Sequence, residues 1–149
     1  MPRMGAVIRR PGEGEPLGMG ETRAAILASA EDTGGRYALV ETIYAPGFRG
    51  PPPHIHREMV DSFYILEGTL RMTAGGEVLD AGPGSFVAVP PGVVHTFANE
   101  TDAPARVLNL FAPGGFEAYL RELAALPGPP DPATMAELAS RYDFEVVDG

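Results

Sequence analysis

The sequence predicts an all-β domain, a barrel or sandwich of short strands, on three observations. The chain holds 19 glycines and 16 prolines in 149 residues, placed between short apolar runs, as in domains of many strands joined by tight turns. Turn signals recur at short intervals: Gly68, Gly75-Gly76, Gly82-Pro83-Gly84, Pro90-Pro91-Gly92 and Asn99 to Asp102. No helical period fills the spaces between them. A chain of this length removes roughly 70% of its unfolded accessible surface from water on folding, enough for one core.

Residues 1–20 are Gly-rich and weakly patterned, and are expected as an N-terminal arm that packs on the body or on a partner subunit. The apolar run 22–29, turn chemistry at Glu31 to Gly35, and the β-branched and aromatic stretch 36–44 read together as a hairpin. Pro46-Gly47 and then Pro51, Pro52 and Pro53 exclude helix, so the chain reaches His54 through a stiff extended loop. Short strands are expected near 62–66, 69–73, 77–79, 85–89, 95–98 and 106–111, which assigns the barrel to 21–112. Beyond Gly114-Gly115 the period changes. Phe116, Tyr119, Leu120 and Leu123 predict a helix over 116–126. Asp131 fits an N-cap, with Pro132 at the first position of a second helix reaching about 142. A helical extension over 113–149 thus completes a single domain spanning 1–149.

The net charge of -9 argues against nucleic acid as a partner, because that affinity rests on clustered basic residues. There is no cysteine, so any metal must be held by nitrogen and oxygen donors. No apolar stretch has the length of a signal peptide or a spanning helix, and a cytoplasmic protein with no membrane partner is expected.

Two of the three histidines, His54 and His56, are separated by one residue. Alternate side chains of a strand share a face, so both rings can point at one place. Taken alone, the pair fits two polar side chains on one face as well as it fits a metal site.

The segments from His54 to Gly68 and from Gly84 to Asn99 resemble the two motifs of the cupin superfamily. Gly84, five residues, Pro90, Pro91, Gly92, two residues, His95, three residues and Asn99 match the second motif without a departure. His54, His56, four residues, Asp61, six residues and Gly68 match the first, with Asp where Glu is usual. The fifteen residues between Gly68 and Gly84 are a spacing of compact bacterial cupins. The resemblance implies a double-stranded β-helix, the jelly-roll barrel, with short C-terminal helices. It also implies one divalent metal ion per chain (Fe, Mn, Ni, Co, Cu or Zn) held by His54, His56 and His95.

Asp61 matters most for mechanism, since Asp is shorter than Glu by one bond of about 1.5 Å, while a ligating oxygen must approach a zinc-like ion to about 2.0 to 2.2 Å. Three arrangements stay open: Asp61 as a fourth ligand, Asp61 hydrogen-bonded to a water on the ion, or replacement by Glu58, which shares strand parity with His54 and His56. Asp61 is favoured. Asp61 or Glu58 is also the candidate general base, a role served by a pKa raised in an apolar pocket.

Gly68 and Gly92 are read as turn glycines with positive φ, and Asn99 as a turn former. Phe63, Ile65 and Phe97 should face the interior and Tyr64 the outside. Tyr44, Phe48, Met72 and Phe116 are candidates for the mouth. Arg49 and Arg106 are candidates for a substrate anion, though each reads first as a solvated side chain.

Three functions compete. Resemblance to quercetinase-like monocupins implies dioxygenation of a small oxygenated or aromatic substrate. Resemblance to polyketide cyclases implies non-redox isomerase, cyclase or lyase chemistry by a Lewis-acid metal. In the third, a non-catalytic cupin binds a small molecule, and the carboxylate change records a lost activity. Open sheet edges and the arm point to a homodimer formed by strand exchange.

Overall fold

The structure, a computed structural model, describes residues 5–147; residues 1–4 of the expected arm and 148–149 of the expected extension lie outside it. In chain order the elements are β1 (Glu15–Met19), β2 (Thr22–Ala28), α1 (Ala30–Thr33), β3 (Ala38–Tyr44), β4 (His54–Ile55), β5 (Val60–Glu67) and β6 (Leu70–Ala74). They continue with β7 (Glu77–Ala81), β8 (Phe86–Val89), β9 (His95–Ala98), β10 (Ala105–Ala112), α2 (Glu117–Ala125), α3 (Pro132–Ser140) and β11 (Glu145–Val146). One sheet has the order β1-β2-β3-β10-β5-β8 and the other β11-β4-β9-β6-β7. All the pairings are antiparallel. This is the all-β double-stranded β-helix that the two motifs imply.

Strand parity explains the walls. In β2, Ala24, Ile26 and Ala28 are buried and alternate with more exposed residues, and in β3 Ala38, Val40, Thr42 and Tyr44 do the same. The two strands pair as the expected hairpin. Its connection is a one-turn helix in place of the expected turn. Ser29 accepts from the Asp32 amide at 3.3 Å, Asp32 accepts from the Ser29 amide at 3.0 Å, and Gly34 closes the end in the left-handed region. Ser, Asp and Gly serve turns and caps alike, which is why their types did not distinguish the two.

Part of the expected arm is an edge strand. Leu17 of β1 is buried with Ile26, Val40, Met59 and Phe111, and Glu15 pairs with Arg121 of α2 at 3.0 Å. Helices α2 and α3 fall inside their predicted ranges, with Asp131 accepting from the Thr134 amide at 2.7 Å. The extension is not helical to its end, however: β11 lies on β4, with Val146 opposite His54. A two-residue strand that pairs with a distant segment carries no local pattern.

Inside the barrel Tyr44, Phe63, Ile65, Leu70, Met72, Val89 and Val107 form one core cluster, with Phe48 and Phe97 packed against it. Tyr44 and Met72, candidates for the mouth, are therefore core residues. Tyr64 faces outward as its parity requires. Burial of Phe63 and Ile65 is worth roughly 1.5 to 3 kcal/mol for each side chain.

Two glycines let backbones meet. Gly50, at φ 77°, brings the Pro-rich loop onto β9, where a Cβ would lie 1.6 Å from the Phe97 carbonyl oxygen. Gly68 has the expected positive φ, 76°, and a Cβ there would lie 2.4 Å from the Pro104 carbonyl oxygen. Gly68→Ala is expected to cost about 2 kcal/mol, from the left-handed backbone and the crowding together. A urea unfolding midpoint unchanged from wild type would refute this. Asn99 is fully buried, and its amide group reaches the carbonyls of Tyr44, Ala45 and Ala103 while its oxygen accepts from Thr101. It joins the loop before β4 to the turn before β10.

Candidate metal centre

The centre lies between the sheets. His54 of β4 stands directly opposite His95 of β9 in the antiparallel register, and His56 follows just beyond the end of β4. The three rings are 1 to 2% exposed. Their centroids lie 4.9 Å (His54–His56), 4.2 Å (His54–His95) and 5.0 Å (His56–His95) apart.

Each ring is oriented by a backbone carbonyl. Nδ1 of His54 lies 2.8 Å from the Pro52 oxygen, that of His56 2.5 Å from the Asp143 oxygen, and that of His95 3.0 Å from the Val93 oxygen. A carbonyl only accepts, so each Nδ1 donates, and a neutral ring then has no proton on Nε2. One ligand atom from each ring can be chosen so that all lie within 4.8 Å of one another.

Asp61 of β5 belongs to the opposite sheet and approaches two of the three rings. Its Oδ2 lies 3.4 Å from His56 Nε2 and 3.3 Å from His95 Nε2. Donors of one tetrahedral ion at 2.0 to 2.1 Å stand about 3.4 Å apart, and the two contacts of Asp61, with His56 and His95, have that spacing. Asn109 of β10 donates to Asp61 Oδ1 at 3.4 Å, and the Tyr44 hydroxyl donates to Asn109 at 3.0 Å. A buried file from Tyr44 through Asn109 thus orients the carboxylate.

These residues fit a divalent ion. With Nδ1 already donating, the Nε2 lone pairs of His56 and His95 face a carboxylate oxygen, and only a positive charge between them makes that contact favourable. His56 Nε2 is buried and makes no hydrogen bond. Burial pushes the His54 imidazole down to about 4, leaving it a neutral donor. Burial also opposes the charged form of His56, yet Asp61 and the Asp143 carbonyl outweigh it and raise the group. For Asp61 burial acts upward, but His56 and His95 outweigh it and hold the carboxyl below its ordinary range. The raised pKa expected for a base is therefore corrected: a proton on Nε2 of His56, in the place an ion would take, supplies the positive charge that keeps the carboxylate ionised in the metal-free protein. Three imidazoles and a carboxylate, with no sulfur, suit first-row divalent ions.

Aromatic rings wall the centre. Phe144 stacks on His54 at 4.4 Å with an interplanar angle of 18°, and Phe116 meets His56 edge-on at 5.1 Å. Phe116, a candidate for the mouth, thus lies against a candidate ligand. A cleft of about 130 Å³ opens beside it, lined in part by Glu58, Met59, Phe116, Tyr142 and Asp143.

Glu58 is exposed and stands outside the imidazole group. Strand parity would have aligned it with His54 and His56, but β4 ends at Ile55 and the amides of 57–59 turn to Asp143. Arg49 is exposed, and Arg106 pairs with Glu41 at 2.9 Å on the outer surface. Among the described residues every arginine is exposed or paired with a surface carboxylate.

Three residues of the centre carried no assignment from sequence. Asn109 had a usable signal, since it is a polar residue in the inward row of Val107 and Phe111. Asp143 and Phe144 had none.

Fold and centre define a class: small β-barrels in which two motif segments bring three imidazoles together inside a double-stranded β-helix. The Cupin domain model matches residues 40–111. Quercetin 2,3-dioxygenase of Bacillus subtilis (strain 168) is 31% identical over 116 residues, covering 78% of this chain and 34% of that protein. The chain thus spans about a third of that relative's length. Among solved structures, the polyketide cyclase RemF from Streptomyces resistomycificus is 28% identical, with a TM-score of 0.54 over 71% of this chain and 70% of that one. An RmlC-like cupin from Shewanella frigidimarina, 19% identical, shares the fold with a TM-score of 0.64 over 76% of this chain and 96% of that one. This chain belongs to the cupin superfamily. No helix among the described residues is long and apolar enough to cross a membrane.

Proposed function

We propose that the chain is a metal-dependent enzyme acting on a small oxygenated or aromatic molecule, with dioxygenase-type chemistry. One observation carries the reading: three buried imidazoles, each with Nδ1 held by a backbone carbonyl, stand together beside the Asp61 carboxylate. His54, His56, His95 and Asp61 are the residues that would hold one divalent ion. Such an ion supplies a Lewis acid and, if redox-active, a means of coupling an electron-rich substrate to dioxygen.

The chain's own groups do the rest. Asp61 is the base for the proton of a substrate hydroxyl, and Asn109, donating to Oδ1, holds the carboxylate in place. Phe116 and Phe144 offer flat apolar faces to an aromatic ring. Among the described residues no arginine faces the centre, so an anionic substrate would find no guanidinium there and only the ion itself as countercharge.

Elemental analysis of the purified protein, with an anomalous-scattering map at the three imidazoles, is expected to give one ion per chain. Oxygen uptake with quercetin or smaller hydroxylated aromatic compounds is expected to start with the substrate, and turnover to stop under argon. Turnover unchanged without oxygen would remove the dioxygenase reading in favour of a non-redox cyclase, isomerase or lyase, which the 28% identity to the polyketide cyclase supports. A protein that neither contains metal nor takes it up would be a small-molecule-binding cupin without catalysis.

The proposed location is the cytoplasm, and the proposed assembly is a homodimer. Strand β8 is a sheet edge, and its Phe86, 63% exposed, lies beside the 42% exposed Tyr64 of β5. A second copy would cover this edge and its apolar face. Light scattering at micromolar concentration should give twice the chain mass; the mass of one chain would refute the dimer.

A further inference from the structure

We infer that the C-terminal segment 142–147 is a latch on the metal centre, with Asp143 as the positioning residue, and that docking of the latch and occupancy of the centre strengthen each other. The inference rests on the metal reading above and deepens it.

His56 lies past the end of β4 and has no strand partner to orient its ring. What holds the ring is the carbonyl of Asp143, 87 residues further along the chain and 2.5 Å from Nδ1. The carboxylate of the same residue accepts from the backbone amides of Arg57, Glu58 (3.0 Å) and Met59 (2.9 Å). Asp143 thereby closes the whole loop between His56 and β5. Burial alone would raise this carboxyl, but the three amides outweigh it and keep it ionised.

The next residue acts on a second candidate ligand. Phe144 is 7% exposed and covers the face of His54, and its ring also lies 6.2 Å from His56 and 5.7 Å from Tyr119. Two of the three imidazoles therefore rest on one short segment. His95 does not: its ring is held from its own chain neighbourhood, by Val93.

The backbone pairing of the segment is slight. Strand β11 has two residues and the Val147 amide donates to the Pro53 oxygen at 3.0 Å; the other attachments are side chains, Tyr142 against Glu122 and Tyr119 of α2 and Glu145 paired with Arg57 at the surface. A segment with so little backbone pairing opens at low cost compared with the barrel strands. Opening it removes the carbonyl that keeps the proton on Nδ1 of His56 and uncovers His54. An ion on the two Nε2 atoms favours the docked latch, and by thermodynamic reciprocity the docked latch favours the ion.

Asp143→Asn tests this, because an amide nitrogen cannot accept from the 57–59 amides as a carboxylate oxygen does. Zn²⁺ affinity, measured by calorimetry with a competing chelator, is expected to fall about 10- to 100-fold. Phe144→Ala should weaken it too, and Asp80→Asn, at an exposed pair with Arg71, should leave it within about twofold. The d–d spectrum of bound Co²⁺ should change in Asp143→Asn. Hydrogen exchange should slow at the amides of Arg57, Glu58, Met59 and Val147 when Zn²⁺ is added to wild type. In metal-free protein, ring ¹⁵N shifts should report the Nδ1–H tautomer of His56 in wild type and a mixture in Asp143→Asn. If Asp143→Asn does not fold by circular dichroism, Phe144→Leu, which keeps an apolar cover and loses the stack, replaces it. Zn²⁺ affinity within about twofold of wild type in the folded variants, or exchange at 57–59 indifferent to Zn²⁺ binding, overturns the latch. Wild-type protein that binds no ion sinks the metal reading instead. The tautomer then decides alone, and an unchanged His56 in the folded variant overturns the latch.

Discussion

His95→Ala is expected to lower affinity for a divalent ion by more than ~100-fold and to abolish the thermal stabilisation that added metal gives the wild type. Residues that merely orient a metal-bound histidine are worth about 10- to 100-fold, so a ligand itself should be worth more. His95 is also the ring that faces His54 across the strand pair, and without it two imidazoles of the group of three are left. A ligand at 100 times its dissociation constant stabilises the folded state by about 2.7 kcal/mol, a shift that thermal melts resolve easily. Calorimetric titration and melts with and without Zn²⁺ measure both effects, and circular dichroism checks that the variant folds. If His95→Ala holds one ion per chain at wild-type affinity, His95 is not a ligand, and the proposed centre is wrong.

Asp61→Asn is expected to separate binding from turnover. The amide keeps an oxygen for Asn109 and presents its NH₂ to the Nε2 lone pairs of His56 and His95, so the metal-free protein should be at least as stable as wild type. That new donor competes with an ion and a charged ligand oxygen is lost, so metal affinity is expected to fall by more than ~100-fold, as for His95→Ala. Turnover should fall as well, by roughly 10²- to 10⁴-fold, because an amide cannot take up a proton as a general base does. The rate at saturating metal, measured on the compound that supports oxygen uptake in the wild type, isolates the second effect. A saturated rate within tenfold of wild type would leave Asp61 with an orienting role only.

Strand parity succeeded where its premise held and failed where it did not. Phe63 and Ile65 lie inside and Tyr64 outside because β5 is a continuous strand over Val60–Glu67. Alignment of Glu58 with the histidines requires the strand to run on through it. The strand stops at Ile55 because Asp143 takes the amides of 57–59, so Glu58 turns to solvent. Asp61 is of the same kind: side-chain length can be read from a residue type, whereas the distance between facing strands cannot.

The residues alone were enough for the all-β class, most strand positions and both C-terminal helices, and the resemblance of the two motifs singled out the three histidines, because turn chemistry, alternation and motif spacing are properties of neighbours along the chain. The register that sets His54 against His95, the reach of Asp61 across the barrel, the Tyr44–Asn109 file and the contacts of Asp143 and Phe144 were decided by the tertiary structure. Each joins segments far apart in sequence, so its geometry follows from how the two sheets close around the core and leaves no trace in the local pattern of either segment.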